Sequence, residues 1–148
     1  MKIFRYQFEH NEVYQKYCLL LQKDPSNVKH LTEIPFLPIE FFKSKEILSS
    51  LDPIQETFTS SGTTGSVTSK HQVTDLSFYE YSFRNGFSKF YGNIEDYAVL
   101  ALLPSYLERD GSSLIYMVND LIESSNHPDS GFYLNDYEAL AKKLIELD

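Results

Sequence analysis

The sequence predicts an α/β fold with a partial, mainly parallel sheet and flanking helices, and three observations predict it. Residues 97–103, Tyr-Ala-Val-Leu-Ala-Leu-Leu, form a continuous apolar run stopped by Pro104, the pattern of a strand covered on both faces. Helical periodicity, a short strand-like run and a second helical periodicity follow it, an order that calls for parallel strands joined by crossover helices. The chain has 148 residues, 42% hydrophobic and 23% charged, a globular composition able to bury about two-thirds of its unfolded surface. It reads as one α/β domain or domain fragment over 1–148. A helical N-terminal arm occupies 1–54, and a loop, strand and helix region occupies 55–148.

Each element has its own reason. Val13, Tyr14, Tyr17, Cys18 and Leu21 recur every three or four residues and predict a helix over roughly 9–22. Pro35 and Pro38 interrupt the apolar run Ile34-Pro35-Phe36-Leu37-Pro38-Ile39, so residues 24–51 read as an ordered arm with a short helical turn at 40–43. Its apolar residues require a surface to pack against, unlike a Gly/Ser linker. Residues 55–60 and 70–73 alternate as strands. Leu76, Tyr79, Phe83, Phe87 and Phe90 mark a helix capped by Thr74 or Asp75. The apolar run at 97–103 is the central strand. A helix with Leu114, Ile115, Val118, Leu121 and Ile122 on one face comes next, then a strand at 131–134. A final helix, opened by Asn135 with Glu138 in a capping-box relation, turns Tyr137, Leu140, Ala141, Leu144 and Ile145 inward. Because the pattern then calls for another strand, the sheet is expected to be incomplete.

Charge and cysteine content narrow the function classes. Thirteen basic against 21 acidic residues leave a net charge of −8, which disfavours phosphate backbones and anionic lipid, so neither nucleic acid nor membrane is expected as a partner. The single cysteine, Cys18, forms no internal disulfide and no multi-cysteine zinc site. His10, His30 and His127 share no metal-ligand spacing, so no metal site is expected. There is no apolar run of about 20 residues, and Met1-Lys2-Ile3-Phe4-Arg5 lacks the form of a signal peptide. The expectation is a cytoplasmic protein.

The most informative segment is Thr59-Ser60-Ser61-Gly62-Thr63-Thr64-Gly65-Ser66, with hydroxyls and glycines between two strands. Glycines let successive N–H groups face one concavity, and Ser and Thr hydroxyls add donors, a composition suited to phosphate. It lacks the Gly-Lys-Ser/Thr ending of a P-loop and the Gly-x-Gly-x-x-Gly of a dinucleotide fold. Gly62-Thr63-Thr64-Gly65 has the bare Gly-x-x-Gly of a KH domain, but that motif joins helices in a basic setting.

The segment resembles the phosphate-binding loop of adenylate-forming enzymes, Ser/Thr-Ser-Gly-Ser/Thr-Thr-Gly, matched by Ser60-Ser61-Gly62-Thr63-Thr64-Gly65. Within that superfamily the chain is similar to the acyl-protein synthetases of bacterial bioluminescence. The likeness rests on Ile34-Pro35-Phe36-Leu37-Pro38-Ile39-Glu40-Phe41-Phe42-Lys43, Leu103-Pro104-Ser105-Tyr106 and Asp110-Gly111-Ser112-Ser113-Leu114. The resemblance runs from about residue 31 onward and implies part of the N-terminal domain of such an enzyme. It further implies activation of a fatty or other carboxylic acid by ATP and Mg²⁺ as an acyl-adenylate, then acyl transfer to a protein thiol or related acceptor. Ser60, Ser61, Gly62, Thr63, Thr64 and Gly65 would hold the β- and γ-phosphates. Where the superfamily pattern continues Gly-x-Pro-Lys, this chain has Thr68, and the nearest cation is Lys70. Tyr106 and Gly111 would line the acyl pocket, since their turn follows a central strand, where open α/β sheets bind ligands.

No catalytic residue is assigned. The adenine, ribose and hinge motifs and the acyl-accepting cysteine of this family have no counterpart here, and Cys18, on an apolar helix stripe, reads as a structural thiol. Two functions therefore stand: acyl activation, and a noncatalytic nucleotide-binding or interaction module, truncated or split from its catalytic part. A homo-oligomer or a separate C-terminal half would complete either.

Overall fold

The computed structural model describes residues 1–60, 67–104 and 111–147. They form two compact units, Met1–Thr74 and Asp75–Asp148.

The N-terminal unit begins with α1 (Lys2–His10), which apolar spacing does not reveal, and α2 (Glu12–Leu20), which answers the helix expected over roughly 9–22. Asn11 makes the break. Its backbone is extended (φ −113°, ψ 101°), its side-chain oxygen accepts the Tyr14 N–H at 2.9 Å, and its own N–H closes α1 on the Gln7 carbonyl at 2.9 Å. One residue thus satisfies orphan groups of two helix ends. Phe4, Tyr14, Cys18 and Val28 form the buried core, with Phe8, Tyr17, Ile34 and Leu37 packed against it. The rings of Phe4 and Tyr14 meet edge to face at 6.3 Å, a favoured aromatic geometry.

The arm packs as its apolar content requires, but only in part. Ile34 and Leu37 join the core, and the Pro35 carbonyl accepts the Tyr14 hydroxyl at 2.7 Å. Phe36 and Ile39 stay exposed. A turn at Leu31–Glu33 is held by the Glu33 carboxylate, which accepts the N–H groups of Lys29 and His30, and the predicted helical turn is α3 (Phe41–Ser44). Farther on, the Ser49 hydroxyl donates to Gln7 Oε1 at 2.6 Å, tying the arm to α1.

Strands β1 (Glu56–Thr59) and β2 (Lys70–Val73) pair antiparallel from Glu56↔Val73 to Thr59↔Lys70. Their ten-residue connection is too short for the crossover that a parallel pair needs, so the expectation of a mainly parallel sheet fails for this half.

In the C-terminal unit, Asp75 caps α4 (Leu76–Tyr91) by accepting the Phe78 N–H, and Gly92 ends the helix at φ +91°, a conformation that favours glycine. The order β3 (Leu100–Ala101), α5 (Ser113–Ser125), β4 (Gly131–Phe132), α6 (Tyr137–Leu147) follows. Strands β3 and β4 are parallel, Leu100 opposite Gly131 and Ala101 opposite Phe132, as the alternation predicts. The central strand is nevertheless two residues long rather than seven. Among the described residues β3 has one partner strand, and Tyr97 and Leu102, beyond its ends, are exposed.

Two serines serve as a polar hinge at the sheet. Buried Ser125 bonds the Ile122 carbonyl and Ser130 Oγ, and Ser130 Oγ accepts the Val99 N–H at 2.9 Å. The final helix departs from expectation twice. Its cap is Asp136, whose Oδ1 accepts the Ala139 N–H at 2.9 Å, one position past Asn135. Tyr137, Ala141, Leu144 and Ile145 face outward, while Leu140 and Lys143 are half-buried. Lys143 Nζ lies 2.8 Å from Asp129 on the same half-buried side of α6.

Candidate functional site

The β1–β2 hairpin carries the hydroxyl-rich segment between its strands, and the described residues define its neck. The Ser60 N–H donates to the Ser69 carbonyl at 3.0 Å, and the Ser69 N–H donates to Ser60 Oγ at 3.0 Å. This reciprocal pair extends the ladder one step beyond Thr59↔Lys70, with a side-chain oxygen as one of its acceptors. Ser60 Oγ accepts a bond there and keeps its own proton to donate.

Alternation sorts the residues of the neck. Phe58 is buried and anchors β1 from beneath, whereas Thr59 and Lys70 are exposed. Among the described residues no carboxylate pairs with the Lys70 ammonium, which leaves its charge available to an anion. His71, opposite Phe58 in the register, has its ring 6.4 Å from that of Phe42 on α3. The arm thus braces the strand that leaves the hydroxyl-rich segment.

Of the residues singled out in the sequence, Ser60 and Lys70 are both described at this neck, Ser60 opposite Ser69 and Lys70 opposite Thr59. Ser61, Gly62, Thr63, Thr64, Gly65 and Tyr106 lie outside the described residues. Gly111 belongs to the C-terminal unit, with φ +74°, just before Ser112, whose Oγ accepts the Ile115 N–H to cap α5. Its positive φ accounts for glycine there. Sequence reasoning missed Ser69. Its one visible signal is that a second serine stands across the segment from Ser60.

Donors at the neck, a hydroxyl and an ammonium, suit a phosphate group, and nothing anionic among the described neck residues opposes one. No cluster of three or more His, Cys, Asp or Glu groups is placed to hold a metal ion among the described residues. Cys18 has the opposite environment from a nucleophile. It is 0% exposed, and burial pushes its thiol above the ordinary range, away from the reactive thiolate.

Comparison with known proteins supplies the class. The family model described as acyl-protein synthetase, LuxE, matches residues 1–79, which takes in the whole N-terminal unit, and the chain belongs to this family. Among particular relatives, a long-chain-fatty-acid–luciferin-component ligase of Photorhabdus luminescens is 36% identical over 63 residues, 42% of this chain and 53% of the relative. The chain thus spans about half the length of that curated relative. No solved structure matches it. Among the described residues no helix is long and apolar enough to cross a membrane.

Proposed function

We propose that this chain takes part in activating a carboxylic acid, most specifically a fatty acid, with ATP to give an acyl-adenylate whose acyl group passes to a protein thiol or related acceptor. The observation that carries the reading is the Ser60–Ser69 pair, which closes the neck beneath the segment whose sequence matches the adenylate-forming pattern. Family membership and the relative's printed name, a ligase of long-chain fatty acids, support it.

In this reading a carboxylate oxygen attacks the α-phosphorus and the bond to pyrophosphate breaks, so negative charge grows on the phosphates. Ser60, Ser61, Thr63 and Thr64, with the N–H groups of Gly62 and Gly65, hold the β- and γ-phosphates, and Lys70 adds a positive charge at the neck. Donors fixed before the reaction stabilise that charge without reorganising. Mg²⁺ bound with the nucleotide supplies further neutralisation. The single buried thiol suits a reducing cytoplasm.

ATP–pyrophosphate exchange with a panel of fatty and aromatic acids tests this. Exchange with fatty acids is expected, and replacing Thr63 and Thr64 by Ala should lower it by about 10²-fold or more. Exchange that survives the double replacement removes the segment from the chemistry. ATP binding without exchange for any acid makes the chain a noncatalytic nucleotide-binding module.

A further inference from the structure

We infer that a groove on the N-terminal unit takes the aliphatic chain of a fatty acid. The inference rests on the fatty-acid reading above.

The groove lies between α1 and the arm and has a volume of about 580 Å³, within the range of about 300–1,000 Å³ that small-molecule sites occupy. Its walls include Ile3, Leu31, Ile34, Phe36 and Phe42, and no Lys, Arg, His, Asp or Glu is among the lining residues. Three polar residues reach it, and each makes at least one bond within the protein. Gln7 Oε1 accepts from Ser49 Oγ, Asn11 Oδ1 accepts the Tyr14 N–H, and the Tyr14 hydroxyl donates to the Pro35 carbonyl. An extended peptide laid in the groove would find few partners for its backbone groups, whereas a methylene chain needs none.

Position gives the second argument. Phe42 lines the groove and also packs against His71, the neighbour of Lys70 in β2. One wall of the groove is therefore continuous with the hairpin neck where the phosphate donors are assigned. A chain seated in the groove would have to leave its carboxylate outside, because the lining holds no charge to meet it. The rim is open to water, with Phe36 83% and Ile3 78% exposed, so a ligand enters without the fold opening.

The experiment is equilibrium titration of the full chain with a fluorescent polyene fatty acid, displaced by saturated acids of increasing length below their micelle concentrations. Affinity should rise about fourfold per added methylene until the groove is filled. Phe36→Asp and Leu31→Asp, at exposed positions that leave the core intact, should each weaken binding by about tenfold or more, with unchanged circular dichroism. Equal affinity in both variants and the parent, or no dependence on chain length, overturns the inference. So does self-association that Phe36→Asp abolishes without altering fatty-acid affinity, since the groove is then a contact between copies. Fatty acid that binds with this pattern, in a protein that exchanges pyrophosphate with no acid, supports the groove and counts against the activation reading alone.

Discussion

Asn11 is 4% exposed, a rare burial for an amide, and every bond it makes explains why it is tolerated. Its oxygen caps α2, its amide nitrogen reaches Ser49 Oγ at 3.4 Å, and its backbone N–H ends α1. Asn11→Ala should cost about 1–2 kcal/mol in urea-induced unfolding, through the lost cap and the unpaired Tyr14 N–H. Cys18 and Tyr14 add a pH dependence. Burial raises the Cys18 thiol above its ordinary 9.0 and the Tyr14 hydroxyl above its ordinary 10.0. Above about pH 9 the unfolded chain releases protons that the folded chain keeps, so stability falls as pH rises. The melting temperature should be insensitive to these two groups below pH 9 and decline beyond it, and Cys18→Ala should remove the first part of that decline. Because Cys18 is fully covered, a thiol reagent should modify it only as fast as the N-terminal unit opens.

Among the elements, α4 and α5 are joined by a charged cluster rather than by a fully buried seam. The Arg84 guanidinium meets both Asp120 oxygens, with Nε 2.9 Å from Oδ2, and lies 3.3 Å from Glu80, which accepts the Tyr116 hydroxyl at 2.6 Å. Since half of the Arg84 side chain is exposed, its attraction to Asp120 is screened. A double-mutant cycle with Arg84→Met and Asp120→Asn should give a coupling of about 0.5–1 kcal/mol that shrinks with added salt. Apolar spacing made α2, α4 and α5 legible, and alternation placed β1 and β2 within a residue. The same spacing did not show the break at Asn11, because a cap changes the backbone at one position without disturbing the stripe on either side. It also misjudged α6: periodicity identifies residues that share a face but not which face turns toward the unit, and Leu140 and Lys143 are among the half-buried ones.

At the scale of the molecule, the acidic balance makes a prediction opposite in sign to that for a basic phosphate-binding protein. A net charge of −8 repels ATP at a distance, so the association rate for ATP should rise, not fall, as salt increases from low to physiological strength. Stopped-flow measurement of binding would check it. Strand order was legible at this scale, and strand extent was not. The run at 97–103 is apolar enough for a long buried strand, yet extent depends on neighbours, and β3 has one among the described residues. The candidate site was likewise legible as a string of hydroxyls and glycines. The part played by Ser69 emerges only from the register Thr59↔Lys70, which no residue type announces. That neck has a thermodynamic consequence. A segment whose ends are already joined adds closure entropy only logarithmically with length, about 0.6 kcal/mol for each doubling. Lengthening the connection between Ser60 and Ser69 therefore costs little closure entropy, and insertions there should leave the unfolding midpoint almost unmoved.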